Sequence, residues 1–139
     1  MTHPYNICIV DDDDIYQFTM VKTIESLQLA NNIIVFSDGE EALNFMLENL
    51  NKEDELPDVI FLDINMPIMD GFQFMEEYVK IKPVLGKKIL IYMVSSSVDP
   101  IDIARAKKIS DISDYIIKPV KKGELKAIIE GLQNRGKLL

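Results

Sequence analysis

The sequence predicts a doubly wound α/β fold, in which helices cover both faces of a five-stranded parallel sheet. Apolar runs of strand length recur five times along the 139 residues. Amphipathic stretches with a helical period separate these runs, so strands and helices alternate along the chain. Near-continuous apolar strands joined by helices indicate a parallel sheet that is buried on both faces and connected by right-handed crossovers.

Each predicted strand is rich in Val, Ile, Tyr or Phe and is too short to form a helix. The five predicted strands comprise residues 6–10, 33–36, 59–62, 89–94 and 115–117. The strand order 2-1-3-4-5 is one of the two common orders of doubly wound sheets. This order would make the first and third strands neighbours.

Apolar stripes and capping patterns predict where the helices lie. The stripe of the first helix is Ile15, Phe18, Val21, Ile24 and Leu27, and that of the last is Leu125, Ile128, Ile129 and Leu132. The segment Ser37-Asp38-Gly39-Glu40 has the pattern of a capping box. The pair Asp99-Pro100 has the pattern of an N-cap followed by proline at the first helical position.

The composition is that of one globular domain. The chain is 47% hydrophobic and 27% charged, and it is long enough for one core but not for a second conventional domain. We therefore predict a single domain over residues 1–139, with a core at about 6–133 and no output domain.

The charge and the apolar pattern exclude two kinds of partner. A net charge of −8 would repel a phosphate backbone, so we expect no direct nucleic-acid binding. No run of about 18 apolar residues is present, and the N-terminus lacks the pattern of a signal peptide. We therefore expect no membrane span and a cytoplasmic location.

Polar groups follow four of the five predicted strands. Residues 11–14, all aspartate, follow the first strand, Asp63 the third, residues 95–97, all serine, the fourth, and Lys118-Pro119 the fifth. Ligands of an open α/β sheet bind beyond the carboxyl ends of its strands. These side chains would therefore form one candidate site at that edge.

A cluster of carboxylates at this edge predicts a cation site. If strands one and three are neighbours, Asp11 or Asp12 lies within a few ångströms of Asp63. Like charges so close raise each other's pKa or recruit a cation, and an all-oxygen cluster suits Mg²⁺. Lys118 would add a mobile positive charge, and Ser95 a hydroxyl hydrogen bond.

One long segment resembles a known family. Residues 57–71, PDVIFLDINMPIMDG, resemble the phosphoacceptor segment of response-regulator receiver domains. The resemblance also takes in residues 9–12, 93–96 and 115–119, and it extends from Ile7 to about Leu132. It implies the flavodoxin-like receiver fold, with the strand order 2-1-3-4-5, in a single-domain protein similar to chemotaxis regulators.

The resemblance implies a role for each group at the carboxyl edge. Asp63 would be the phosphoacceptor. Mg²⁺ would be held by Asp11, Asp12, Asp63 and the backbone carbonyl of Asn65. The run of four aspartates leaves the position of the acidic pair open by one residue, and we assign it to the first two.

The remaining implied roles concern the phosphoryl group and the switch. Ser95 and Lys118 would contact the phosphoryl group, and the Lys118–Pro119 bond would be cis. Ser95 stands where threonine is common in the family, but it keeps the hydroxyl. Tyr115 matches the aromatic switch position and would respond together with Ser95.

The implied function is a phosphorylation-activated signalling switch. A sensor histidine kinase or histidine phosphotransfer protein would donate the phosphoryl group, and the fourth helix, fifth strand and fifth helix would signal to an unknown downstream protein. The chain would catalyse only its own phosphorylation and dephosphorylation, as a monomer or a phosphorylation-dependent dimer. The alternative is a receiver-like interaction domain that acts without phosphorylation. A haloacid-dehalogenase-type phosphatase is disfavoured because it needs aspartate where Asn65 stands.

Overall fold

A computed structural model of the protein describes residues 5–137 and contains the predicted five-stranded parallel sheet. The strands are β1 (Tyr5–Val10), β2 (Ala30–Phe36), β3 (Val59–Leu62), β4 (Leu90–Ser95) and β5 (Ile112–Ile117). Their order is β2-β1-β3-β4-β5, and every neighbouring pair is parallel. The predicted strand order is therefore confirmed. The predicted domain ends at residues 1–4 and 138–139 lie outside the described residues.

The two edge strands are longer than the sequence predicted. β2 begins at Ala30 instead of residue 33, and its Asn31 and Asn32 are exposed. β5 begins at Ile112 instead of residue 115, and its Ser113 and Asp114 are exposed. An edge strand has only one strand neighbour, so polar residues can extend it, and its apolar run underestimates its length.

Helices connect the strands. They are α1 (Asp14–Leu27), α2 (Gly39–Glu48), α3 (Gly71–Ile81), α4 (Pro100–Lys107) and α5 (Lys122–Lys137), and a 3₁₀ turn at Lys82–Val84 follows α3. No helix among the described residues is long and apolar enough to cross a lipid bilayer.

The helices bury one hydrophobic cluster on each face of the sheet. One cluster joins the sheet to α2, α3 and α4, and it includes Met46, Phe74 and Ala106. The other joins the opposite face to α1 and α5, and it includes Ile24 and Leu125. Because strand side chains alternate between the faces, neighbouring residues of β1 belong to different clusters.

The stripe predicted for α1 is wrong at its beginning. Ile15 and Phe18 are 81% and 64% exposed, and the buried residues of the helix are Met20 and Ile24. A series with a constant spacing of three residues drifts by about 60° at each step around an α-helix. The predicted series therefore could not remain on one face. Met20 and Ile24 are four residues apart, so they lie on one face of the helix, and both are buried against the sheet.

The capping box predicted for α2, with Ser37 as its N-cap, is wrong. Asp38 is the N-cap, and its carboxylate accepts a hydrogen bond of 2.9 Å from the Glu41 N–H. The Glu41 carboxylate in turn accepts from the Ser37 N–H at 2.7 Å. The predicted cap of α4 is confirmed, since Asp99 accepts from the Ile101 N–H.

Candidate functional site

Strand pairing brings the aspartates together at the carboxyl edge of the sheet. Val10 of β1 and Leu62 of β3 are direct neighbours in the parallel ladder. The ladder continues by one hydrogen bond, from the Asp63 N–H to the Val10 carbonyl at 2.9 Å. On the other side of β1, the Asp11 N–H donates to the Phe36 carbonyl at 3.0 Å. Both residues immediately after the strands are therefore held by the sheet itself.

Three carboxylates form the centre of the site. Oxygen atoms of Asp11, Asp12 and Asp63 all lie within 4.8 Å of one another. Asp11 and Asp63 are buried, whereas Asp12 is exposed. A donor set made only of oxygen, open to solvent at one member, fits a hard and partly hydrated cation such as Mg²⁺.

The fold resolves which aspartates belong to this cluster. Asp13 is the N-cap of α1, and its carboxylate accepts from the N–H groups of Ile15 and Tyr16 at 3.0 and 3.1 Å. Asp14 is exposed in the first helical turn, where an acidic side chain interacts favourably with the helix dipole. The acidic run therefore divides into a cluster pair followed by two residues that start the helix.

Lys118 provides the positive charge of the site. Its Nζ lies 2.7 Å from Asp11 Oδ2 and 3.5 Å from Asp63 Oδ2. The Lys118 N–H donates to the Ser95 carbonyl at 2.9 Å, which anchors the end of β5 beside β4. The Lys118–Pro119 peptide bond is cis, as the resemblance implied.

The electrostatics of the site favour a neutral Asp63 more than water would. Burial and the neighbouring Asp11 carboxylate raise the pKa of Asp63 to about 6, although Lys118 and the Ile64 N–H act in the opposite direction. Burial lowers the pKa of Lys118, but its hydrogen bond to Asp11 and the charge of Asp63 outweigh burial and raise it. The ionised carboxylates therefore keep Lys118 charged. The single positive charge of Lys118 does not fully neutralise their negative charge.

Ser95 and Tyr115 belong to the neighbouring strands β4 and β5. Ser95 is completely buried, and its hydroxyl accepts from the Ser97 N–H at 3.1 Å. Tyr115 is half-buried, and its hydroxyl donates to the Ser97 carbonyl at 2.9 Å. The Ser97 backbone therefore links the hydroxyl at the end of β4 to the aromatic ring on β5.

The loop after β3 brings backbone close to Asp63. Asn65 is exposed in this loop, and its assignment as a carbonyl ligand stays a prediction. At the end of the loop, the Gly71 N–H donates to the Ile64 carbonyl at 2.9 Å. A Cβ atom at Gly71 would lie 2.3 Å from the Asp63 carbonyl oxygen, so only glycine fits this position.

Two neighbours of the site were not predicted from the sequence. The Tyr16 ring lies under the Lys118 ammonium, which is 4.4 Å from the ring centroid. The Gln17 side-chain amide donates a hydrogen bond to the Asp11 carbonyl. Both residues belong to the first turn of α1, directly after the acidic run, and this proximity was the one signal that could have identified them.

Comparison with known proteins assigns the chain to a family. The family model of the response regulator receiver domain matches residues 7–130. The chain belongs to the response regulator receiver domain family. It is thus a receiver domain of two-component signalling, with the fold that the resemblance implied.

The chain is similar to regulatory proteins of different lengths. The chain is 24% identical over 130 residues to a probable methanogenesis regulatory protein, FilR2, of Methanothrix harundinacea. The match covers 94% of this chain and 82% of FilR2. It is 28% identical over 134 residues to the two-component response regulator ARR10 of Arabidopsis thaliana. That match covers 95% of this receiver domain but only 22% of the plant protein.

Solved structures share the fold along nearly the whole chain. A two-component response regulator from Cytophaga hutchinsonii matches with a TM-score of 0.82 and 27% identity, covering 93% of this chain and 96% of that one. The receiver domain of the Arabidopsis thaliana histidine kinase CKI1, complexed with Mg²⁺ and BeF₃⁻, matches with a TM-score of 0.79 and 23% identity. That second match covers 94% of this chain and 90% of the CKI1 receiver-domain chain.

Proposed function

We propose that this receiver domain is a phosphorylation-activated switch whose phosphoacceptor is Asp63. The observation that carries the proposal is the position of Lys118 Nζ between Asp11 and Asp63, beside a cluster of three carboxylates. Four complementary groups from the ends of three different strands converge there. A site built only for helix capping would not need the lysine.

The proposed reaction is phosphoryl transfer from a phosphohistidine to the Asp63 carboxylate. A bond forms between an Asp63 oxygen and phosphorus, the bond from phosphorus to the imidazole nitrogen breaks, and the imidazole leaves with its electron pair. Such a transfer depends mainly on positioning and on neutralisation of charge. Lys118 would supply part of that neutralisation and would contact the bound phosphoryl group together with the Ser95 hydroxyl.

The cation in this proposal is Mg²⁺, held by Asp11, Asp12, Asp63 and the backbone carbonyl of Asn65. The all-oxygen donor set supports this choice. When bound, the ion would neutralise carboxylate charge and favour approach of an anionic phosphoryl donor.

The proposed switch links Asp63 to Tyr115. A phosphoryl group on Asp63 would attract the Ser95 hydroxyl away from the Ser97 N–H, to which it is bonded at 3.1 Å. Ser97 also accepts from the Tyr115 hydroxyl, so a shift of this backbone would change the environment of the ring. The surface of α4, β5 and α5 would then differ between the two states.

The remaining parts of the proposal concern the cellular setting. The donor would be a sensor histidine kinase or a histidine phosphotransfer protein, and a separate downstream protein would read the signal in the cytoplasm. The described residues would act as a receiver domain, as a monomer or a phosphorylation-dependent dimer. Its chemistry would be limited to its own phosphorylation and dephosphorylation.

A phosphoryl analogue tests the proposed function. We expect Mg²⁺ with beryllium fluoride to cause saturable NMR shifts at Asp63, Ser95 and Tyr115 in the wild type. Asp63→Asn should abolish these shifts because the analogue needs a carboxylate oxygen. No response in the wild type would contradict the phosphoacceptor role and favour the interaction domain that acts without phosphorylation.

Removal of one carboxylate tests the cation site. At a Mg²⁺ concentration ten times the dissociation constant, we expect the wild type to gain about 1.4 kcal/mol of unfolding free energy over protein in EDTA. Asp12→Asn should lose most of this gain. Asp14→Asn is the matched control, because it removes the same charge from an exposed helix start outside the cluster. Equal Mg²⁺ responses in the two variants, measured by urea unfolding, would show that these carboxylates do not form the site.

A further inference from the structure

The ring of Tyr16 is an unassigned neighbour of the Lys118 ammonium. It lies in the first turn of α1 and packs against the cluster on the α1 and α5 face of the sheet. Lys118 Nζ is 4.4 Å from the ring centroid, within the range of a cation–π interaction. The contact is inside the site, since the Lys118 side chain is only 16% exposed.

The three partners of Lys118 lie on different elements and differ in chemistry. Asp11 follows β1, Asp63 follows β3, and Tyr16 belongs to α1. The ammonium has three N–H donors, of which the carboxylates at 2.7 and 3.5 Å can accept two. The aromatic face is a neutral partner, whose attraction for the ammonium remains when a carboxylate takes other partners.

The surroundings of the Tyr16 hydroxyl indicate that the ring face, not the hydroxyl, interacts with Lys118. The hydroxyl is buried beside the Val120 backbone, without a well-formed hydrogen bond to any described residue. Burial raises the pKa of Tyr16 to about 12, so the phenol remains neutral at physiological pH. A hydroxyl in this position supplies no partner to the phosphoryl site.

We propose that Tyr16 is a positioning residue, whose ring holds the Lys118 ammonium at the Asp63 carboxylate for phosphoryl transfer. This inference rests on the proposed function and extends it to a residue of α1. A lysine side chain has four rotatable bonds and is therefore flexible. Without the Tyr16 ring, the ammonium could move away from the Asp63 carboxylate. Aliphatic side chains of similar size would fill the space without attracting the cation.

The test compares Tyr16→Phe, Tyr16→Leu and the wild type in their reaction with phosphoramidate. Transfer forms a bond between an Asp63 oxygen and phosphorus and breaks the phosphorus–nitrogen bond of phosphoramidate. The nitrogen leaves with the electron pair as ammonia, so no kinase is needed. We expect Tyr16→Leu to lower the transfer rate about five- to thirtyfold, the effect of losing a partly desolvated cation–π contact. Tyr16→Phe should retain nearly the wild-type rate because it keeps the ring face.

Phe18 offers a matched control on the same helix. Its exposed ring also lies beneath a lysine, with Lys22 Nζ at 5.5 Å from the centroid. Phe18→Leu therefore also removes an aromatic face from beside a lysine, but outside the site, and we expect it to leave the rate unchanged. A Phe18→Leu loss as large as that of Tyr16→Leu would overturn the proposal.

A double-mutant cycle separates positioning from a structural role. In a Lys118→Ala background, Tyr16→Leu should cause no further loss of rate, because its effect acts through the lysine. The same loss in both backgrounds would overturn the proposal, as would a Tyr16→Phe rate as low as that of Tyr16→Leu.

An NMR measurement tests the contact without phosphorylation. The ring current of Tyr16 should shift the Lys118 side-chain signals upfield in the wild type and Tyr16→Phe, and the shift should disappear in Tyr16→Leu. An unchanged Lys118 spectrum in Tyr16→Leu would overturn the inference. A wild type that does not react with phosphoramidate would contradict both proposals, whereas a reactive wild type with an unaffected Tyr16→Leu would contradict this one alone.

Discussion

Asp63→Asn should be more stable than the wild type at about pH 8 in the absence of divalent cations, by about 1–3 kcal/mol. Burial, followed by the Asp11 charge, raises the pKa of Asp63 from 3.8 to about 6. The folded protein therefore binds this proton more tightly than the unfolded chain does. The associated stability is fully present below the unfolded pKa and is lost as pH rises through the folded pKa, so the ionised carboxylate destabilises the fold at neutral pH.

The pH dependence distinguishes this effect from a general gain in packing. The advantage of Asp63→Asn should be largest above about pH 6 and should vanish near pH 3, below the unfolded pKa of 3.8, where Asp63 is mostly protonated even in the unfolded chain. Urea unfolding in EDTA, at the high and the low pH, measures the difference in unfolding free energy between Asp63→Asn and the wild type. Asp14→Asn is the control, and it should lose about 0.3–1 kcal/mol because its charge favours the helix start. A less stable Asp63→Asn at about pH 8 would contradict the electrostatic account.

Gly71→Ala should destabilise the receiver domain by about 2–4 kcal/mol and impair phosphorylation. The added Cβ would lie 2.3 Å from the Asp63 carbonyl oxygen and 3.1 Å from the Ile64 Cα. Both contacts are to backbone, so no side chain can move aside to relieve them. The loop must shift, and its shift would displace Asp63, the proposed phosphoacceptor, for which a displacement of about 1 Å can cost about a hundredfold in rate.

A second glycine supplies the matched control for this prediction. A Cβ at Gly131 in α5 would have no neighbour within 4 Å. Gly131→Ala should therefore stabilise the helix by about 0.5–1 kcal/mol, the usual difference between the two residues in a helix interior. Urea unfolding and phosphoramidate kinetics measure both variants. If Gly71→Ala matched Gly131→Ala in both the free energy of unfolding and the rate of phosphorylation, the loop after β3 would be less constrained than its contacts indicate.

Much of the site could be predicted because it depends on strand ends. Once the strand order is known, the residues after β1 and β3 must be neighbours, which brings Asp11 close to Asp63. The sequence could not decide which pair of the four aspartates faces Asp63. The start of α1 decides it, because Asp13 is required as the N-cap and its carboxylate is directed to the helix.

The amino-acid sequence by itself determined the fold class, the strand order by family resemblance and the edge at which the site lies. The fold class and the edge follow from the periodicity of apolar residues and from polar residues at strand ends, which are local properties of the chain. Only the tertiary structure decided that Met20 and Ile24, not Ile15 and Phe18, face the sheet, and that Tyr16 lies beneath Lys118. Those contacts depend on the rotation of α1 about its axis, which is set by packing against distant strands and has no unique signature in the local sequence.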